Sequence, residues 1–143
     1  MAAKCRQTIW IPAILLGLTS GCNLCGNQEV TRKVSPDGRI DAVVFERDCG
    51  ATTDFTTQIS VVPKGGSVYS GAGNAFIGDS NHGATPSAKW GGPPAVIKWV
   101  ANRQVVIYTH PATRISLQES TVSVATGLFS HEQVLVQYSP SLQ

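Results

Sequence analysis

Six polar side chains in two short stretches of the sequence could carry chemistry. They are Glu46, Arg47, Asp48, Asp79, Asn81 and His82. Carboxylate, guanidinium, amide and imidazole groups that meet on one surface can grip a carboxylate, an amide or a loop of a partner protein. The six residues are therefore the candidate binding patch, provided that the fold brings the two stretches together. In the simpler alternative, the same side chains only make local turn and loop hydrogen bonds.

The sequence carries no motif of a common catalytic class. It lacks the G-x-S-x-G, P-loop and H-E-x-x-H patterns. Its three histidines, His82, His110 and His131, are far apart and lack metal-ligand spacing, so we predict neither a metal nor a cofactor. Ser80, His82 and Asp48 could form a nucleophilic set, but neighbouring residues of one loop seldom adopt that geometry. We therefore expect a protein that is not an enzyme.

The charge balance of the chain argues against a nucleic-acid partner. Eleven Lys and Arg residues face nine Asp and Glu residues, which gives a formal net charge of +2. Lys4 and Arg6 lie in a leader segment, and from Cys22 onward the two signs are equal in number. A basic surface of the kind that binds nucleic acid is therefore not expected. The hydrophobic fraction of 42% and the charged fraction of 14% exclude a generally disordered chain.

The elements that must position the six residues are predicted to be strands. From Cys22 onward the chain has 15 Val and 10 Thr but only 5 Leu, a composition that favours β-sheet. The clearest element is a hairpin in which residues 29–34 and 40–48 flank the turn Ser35-Pro36-Asp37-Gly38. Apolar residues at 42–45 point to both faces, so the second strand of this hairpin should be buried on both sides.

Further strands are predicted along the rest of the chain, at residues 57–63, 75–77, 95–100, 104–109 and 132–138, while residues 116–126 are ambiguous. The fold class is therefore all-β, a small antiparallel β-sandwich or open barrel of about seven strands. Residues 64–94 contain eight Gly and three Pro and read as a long loop. Such a loop is either functional or a flexible surface excursion.

The first 21 residues are predicted to be a signal peptide. Lys4 and Arg6 precede a mostly apolar run, which is shorter than the roughly 17–25 residues of a membrane-spanning helix. The run ends in Thr19-Ser20-Gly21-Cys22, which resembles the lipobox of bacterial lipoproteins. This resemblance implies cleavage before Cys22, diacylglycerol on its thiol, acylation such as palmitoylation of its amino group, and stable attachment to a membrane. The alternative is an ordinary secretory signal.

The remaining cysteines are predicted to pair. Cys5 leaves with the leader and the lipid occupies Cys22, which leaves Cys25 and Cys49 in an oxidising compartment. Cys22 and Cys25 also form a C-x-x-C pattern that could suggest zinc or redox chemistry, but lipidation of Cys22 would remove it as a ligand. The predicted organisation is thus a signal peptide over residues 1–21 and a single domain over residues 22–143.

The segment Arg47-Asp48-Cys49-Gly50-Ala51-Thr52-Thr53 resembles a motif of a family of small bacterial lipoproteins of unknown function. The Ser35-Pro36-Asp37-Gly38 turn and the stretch from Asn74 to Gly83 are also similar to that family. The resemblance implies export, a lipid anchor and a disulfide between Cys25 and Cys49, and it implies no activity. Asn23 follows the lipidated cysteine instead of an inner-membrane retention Asp, which favours the outer membrane, with the domain facing the periplasm.

Two hypotheses about function follow from the sequence. In the first, the chain is a non-catalytic binding or structural module that contacts the membrane through its lipid and has an envelope protein as its partner. In the second, it is a periplasmic inhibitor or immunity protein, similar in plan to the lysozyme-inhibitor lipoproteins. The segment Tyr69-Ser70-Gly71-Ala72-Gly73 would then be the loop that enters an enzyme cleft.

Overall fold

The computed structural model describes residues 25–50 and 54–142 of the chain. These residues form nine β-strands: β1 Gly26–Val34, β2 Ile40–Asp48, β3 Thr56–Pro63, β4 Phe76–Asp79, β5 Ala95–Ala101, β6 Gln104–Thr109, β7 Arg114–Gln118, β8 Thr121–Ala125 and β9 His131–Ser139. Among these residues no helix is long and apolar enough to cross a membrane. The predicted signal peptide and Cys22 lie outside the described residues.

The strands form two sheets that pack face to face. One sheet has the order β1-β2-β3-β4-β7 and the other the order β5-β6-β9-β8. The predicted all-β sandwich is therefore confirmed, and it forms in preference to the open barrel. It has nine strands instead of about seven, because the ambiguous residues 116–126 contribute to two strands, β7 and β8, which belong to different sheets.

One strand pair departs from the predicted antiparallel arrangement. β9 pairs with β8 in an antiparallel hairpin but runs parallel to β6 on its other side. The reason is the route of the chain, which leaves the four-stranded sheet after β6 to add β7 to the opposite sheet. It then returns through β8, so that β9 enters the gap beside β6 in the same direction as β6.

The β1–β2 hairpin closes through the predicted turn. The Gly38 amide donates to the Ser35 carbonyl at 2.8 Å, and the Ile40 amide donates to the Ser35 hydroxyl at 3.1 Å. Gly38 has a φ of 75°, a conformation that residues with a side chain rarely adopt. We call this end of the sandwich the turn end. The other end of the same hairpin, where β1 begins and β2 finishes, is the disulfide end.

Aliphatic side chains that face inward from both sheets form the main core. Five of its fully buried members are Val44, Ile59, Val105, Ile107 and Val134. Tyr138 packs at the edge of this core, with its hydroxyl 2.7 Å from the carbonyl oxygen of Ala75 and 2.8 Å from that of Glu119. Burial raises the pKa of Tyr138 to about 12.

Residues 64–74, which we call the strap, cover the outer face of the five-stranded sheet. Beneath it lies a second small core in which Val43 and Phe45 of β2 contact Val68 of the strap, with Val62 of β3 packed against them. The strap explains why β2 is buried on both faces, as its sequence predicts. One face of β2 meets the opposite sheet, and the other meets the glycine-rich segment that follows β3.

Side chains of β1, β2 and β3 hold the strap along its length. Asp41 accepts a hydrogen bond from the Gly65 amide at 2.8 Å, and Asn27 donates to the Val68 carbonyl at 2.6 Å. Farther along, the side-chain carbonyl of Gln58 accepts from the Gly73 amide at 2.7 Å. The first part of the predicted long loop is thus an ordered layer that completes the sheet.

An ion-pair cluster fixes the outer surface beside the strap. The Arg32 guanidinium lies 2.7 Å from Glu29 and 2.8 Å from Asp41, and it donates to the Gly66 carbonyl at 3.1 Å. The Asp41 side chain is almost fully buried. The hydrogen bond to Glu29 is the main reason why the pKa of Arg32 lies above its ordinary value, since burial acts in the opposite direction. Arg32 therefore neutralises the carboxylate that anchors the strap.

Cys25 and Cys49 form a disulfide, as predicted. Cys25 precedes β1 and Cys49 follows β2, next to the paired residues Gly26 and Asp48. The bond closes the open end of the hairpin, opposite its turn.

Replacing both cysteines with Ala is expected to lower the free energy of unfolding by about 3 kcal/mol, because the bond closes a loop of roughly 25 residues in the unfolded chain. Urea unfolding of the oxidised protein and the double variant measures this loss. The wild type in reducing buffer is the control and should unfold like the variant. Equal unfolding midpoints for the oxidised protein and the variant would contradict the expectation.

Candidate functional site

The two groups of the candidate binding patch lie at the same end of the five-stranded sheet. Thr57 of β3 is the register partner of Glu46 on one side and of Gly78 on the other. β2 therefore ends, with Glu46, Arg47 and Asp48, at the same level of the sheet at which β4 ends with Asp79. One strand separates the two groups, so their backbones are about 10 Å apart.

Each group makes its own contacts, and no hydrogen bond or ion pair within residues 25–50 and 54–142 joins the two. Arg47 donates to the Asn27 side chain and to the Gly71 carbonyl, both at 2.7 Å, so it helps to hold the strap. The Asp48 carboxylate accepts from the Gly50 amide at 2.8 Å. Burial, reinforced by the charge of Asp48, raises the pKa of Glu46. These three side chains are half-buried.

The second group contacts Arg114, which is not one of the six predicted residues. Arg114, the first residue of β7, pairs with Asp79, the last residue of β4. Nε of Arg114 lies 3.0 Å and 2.9 Å from the two carboxylate oxygens, and Nη2 lies 2.7 Å from one of them. Nη1 lies 3.2 Å from Nε2 of His82. We call Asp79, Asn81, His82 and Arg114 the Arg114 cluster.

Asp79 stays ionised in this cluster. Burial by itself would raise the pKa of Asp79, but hydrogen bonds from Arg114 and from the Asn81 amide outweigh it and hold the pKa below its ordinary value. The Asn81 amide lies 2.8 Å from the carboxylate. Asn81 also donates through its side chain to the Ala112 carbonyl at 3.2 Å, which ties the turn to the segment before β7.

The backbone that presents Asn81 and His82 is left-handed. Their φ angles are 50° and 56°, and Gly83 follows with 87°. Hydrogen bonds from Gly83 to Ser80 and from Ala84 to Asn81 hold this turn, both at 3.1 Å. Such a conformation costs about 1 kcal/mol or more for each residue that carries a side chain, and strained residues of this kind are found preferentially at functional sites.

The Arg114 cluster leaves hydrogen-bond donors available on its surface. An arginine has five N–H donors. The contacts with Asp79 and His82 use one N–H on each of the three nitrogens of Arg114. Within the part of the chain that the structure describes, two donors remain, and the Arg114 side chain is 52% exposed. A carboxylate or amide oxygen of a ligand fits these donors.

An ion-pair network that no local sequence pattern indicates lies at the turn end. Arg103 binds Asp37 at 2.7 Å and also contacts Glu132, which in turn lies 2.6 Å from Arg39. Asp37 and Arg39 belong to the β1–β2 turn region, Arg103 precedes β6, and Glu132 lies on β9. The network joins the two sheets, so we assign it a structural role.

The predicted inhibitory segment, residues 69–73, is part of the strap. Tyr69 is largely exposed, whereas Gly71 is held by Asn27 and Arg47 through its carbonyl oxygen. The segment therefore presents one aromatic side chain on a fixed backbone.

The chain matches no protein-family model, and no curated protein and no solved structure is significantly similar to it. Within residues 25–50 and 54–142, no group of three or more His, Cys, Asp or Glu side chains is placed to hold a metal ion.

Proposed function

We propose that the chain is a bacterial envelope lipoprotein, attached through lipid on Cys22, that acts as a non-catalytic binding or structural module. The resemblance of Thr19–Cys22 to a lipobox supports the anchor. The disulfide at Cys25, only three residues farther along, supports an oxidising compartment. The resemblance of the segment from Arg47 to Thr53 to small lipoproteins supports the same assignment, and Asn23 favours the outer membrane.

The Arg114 cluster is the observation that carries the binding role. It combines a strained turn, an ionised carboxylate and a half-exposed guanidinium with two donors left over. Because Asp79 already neutralises Arg114, the cluster recognises its ligand through directional hydrogen bonds more than through net charge. We therefore expect the partner to be an envelope protein that presents a carboxylate or amide oxygen.

Crosslinking in intact cells tests this proposal. A photoreactive residue in place of His82 is expected to capture one envelope protein, which mass spectrometry identifies. Adding Arg114→Met should reduce this crosslink by roughly tenfold or more, the loss typical of a central arginine in an interface. Arg103→Met removes an arginine from the network at the turn end and serves as the matched control. It should leave the crosslink unchanged.

Two outcomes would contradict the proposal. An unchanged crosslink with Arg114→Met would exclude the cluster as the binding surface. Mass spectrometry that finds no acyl group on Cys22 of the protein extracted from membranes would exclude the lipid anchor. The two results are independent, so each part of the proposal can fail by itself.

The inhibitor hypothesis keeps one observation in its favour. Exposed Tyr69 stands on a backbone that Asn27 and Arg47 hold in place, and a preorganised loop binds a cleft at low entropic cost. If this hypothesis is correct, the purified protein inhibits a cell-wall hydrolase such as a lysozyme and Tyr69→Ala relieves the inhibition.

A further inference from the structure

The two outer faces of the sandwich differ in what covers them. The strap and the Arg32 ion pairs cover the outer face of the five-stranded sheet. On the four-stranded sheet, side chains alternate between buried and solvent-accessible positions along β6 and β8 and over the first four residues of β5. The side chains that point away from the core in these strands and in β9 remain exposed or half-exposed. We call this surface the bare face.

The bare face is unusually poor in charge. None of its outward positions on β5, β6, β8 and β9 carries Asp or Glu, and Lys98 is its one formally charged residue. Glu132, the acidic residue of β9, instead contacts Arg39 and Arg103 in the network at the turn end. The outer side of an antiparallel sheet that faces water is ordinarily polar. Here uncharged polar side chains, among them Gln104, Gln133 and Gln137, share the face with five larger apolar ones, Val96, Val100, Val106, Tyr108 and Leu135.

The hairpin between β8 and β9 adds a protruding apolar tip. Leu128 is 90% exposed and Phe129 is 92% exposed. The tip is built on a defined turn, since the Thr126 amide donates to the Ser130 carbonyl at 2.8 Å. The β8–β9 hairpin therefore holds two adjacent bulky apolar side chains in water.

We propose that the bare face, together with the tip at Leu128 and Phe129, rests on the lipid bilayer to which the chain is attached. This inference rests on the proposed function, because the lipid on Cys22 supplies the tether. Three residues from Cys22 to Cys25 reach at most about 11 Å, so the sandwich cannot leave the bilayer surface. β1 is the edge strand of the other sheet and packs against β5, the edge strand of the bare face. The tether therefore enters at the disulfide end of β1, on the side of the sandwich that β1 and β5 share.

Charge selects this orientation over an upright one. The disulfide end carries four acidic and three basic residues: Glu46, Asp48, Asp54, Asp79, Arg47, Lys89 and Arg114. That end presents carboxylates to an anionic bilayer, whereas the bare face offers none and presents the ammonium group of Lys98. Lying on the bare face also leaves the Arg114 cluster free for a partner.

Depth-dependent fluorescence quenching in vesicles tests the orientation. The lipidated protein is purified from membranes and reconstituted in vesicles of phosphatidylethanolamine and phosphatidylglycerol. Its own cysteines are blocked by the lipid and the disulfide, so one added cysteine takes an environment-sensitive fluorophore. The labelled positions are Phe129→Cys and Leu135→Cys, with Tyr69→Cys on the strap as the matched control. Doxyl-labelled lipid is expected to quench the fluorophore at positions 129 and 135 at least roughly threefold more than the fluorophore at position 69.

The possible outcomes separate this inference from the proposed function. Equal quenching at the three positions in a lipidated protein overturns the orientation only. Self-quenching at Phe129→Cys that rises with the protein-to-lipid ratio, without quenching by the lipid, also overturns it, because the bare face then pairs with a second copy. A protein that carries no lipid and stays out of the membrane fraction overturns the proposed function and the tether argument together.

Discussion

Val43→Asp is expected to abolish cooperative folding of the domain. Val43 is fully buried, on the face of β2 that lies beneath the strap with Phe45 and Val68. An unpaired carboxylate in such a place costs several kcal/mol, which is comparable with the 5–15 kcal/mol that typically holds a whole domain together. Thermal unfolding followed by circular dichroism should therefore show no cooperative transition for this variant.

The matched control is Val96→Asp, the same change on another strand. Val96 is half exposed on the bare face, so the carboxylate stays in water and the free energy of unfolding should change by less than about 1 kcal/mol. A Val43→Asp variant that melts as sharply as Val96→Asp would mean that the strap does not seal β2 from solvent.

Arg32→Met is expected to have the second largest effect, a loss of about 3–5 kcal/mol in the free energy of unfolding. The substitution leaves the buried Asp41 carboxylate without its cation, and it also removes the contacts with Glu29 and the Gly66 carbonyl. Arg114→Met removes an ion pair of similar length from an exposed position, where solvent screens the pair and its contribution to stability is small. Urea unfolding of the two variants should therefore give clearly different midpoints.

A rescue experiment identifies the cause of the loss. If the uncompensated charge of Asp41 is responsible, adding Asp41→Asn to Arg32→Met should recover a large part of the stability, because no buried charge is then left unpaired. If the double variant is no more stable than Arg32→Met alone, the packing of the Arg32 stem is the cause instead.

The elements with strong local signals could be predicted from the sequence. The Ser35-Pro36-Asp37-Gly38 turn fixes the first hairpin, and apolar residues on both faces of β2 correctly indicate two-sided burial. The pairing of Cys25 with Cys49 follows from counting the available thiols. These features depend on residues that are close in sequence or few in number, so little tertiary information is needed to find them.

The strap and the parallel pair could not be predicted in the same way. Residues 64–74 have no periodicity of either strand or helix, and their order comes from side chains such as Asn27 and Gln58 on distant strands. The direction of β9 beside β6 depends on where the chain goes between them. In both cases the determining contacts join residues that are far apart in sequence, so a local sequence pattern cannot indicate them.

The candidate site was predicted in part. Asp79, Asn81 and His82 lie together, but the residue that organises them is Arg114, which begins a strand that the sequence left ambiguous. The pairing of β4 with β7 brings Arg114 to Asp79, and the local sequence does not indicate that pairing. Glu46, Arg47 and Asp48 lie at the same end of the sheet, and the nearest contacts of Arg47 are with the strap. A shared role for all six residues stays a prediction.

The position of β9 has a consequence for the time at which the domain can fold. β9, the last of the nine strands in the described residues, is an interior strand of the four-stranded sheet, held between β6 and β8. While residues 131–139 are still inside a ribosome or a translocation channel, β6 lacks a neighbour on one side and β8 has no strand partner in its sheet. The four-stranded sheet can therefore be completed only after residues 131–139 have emerged.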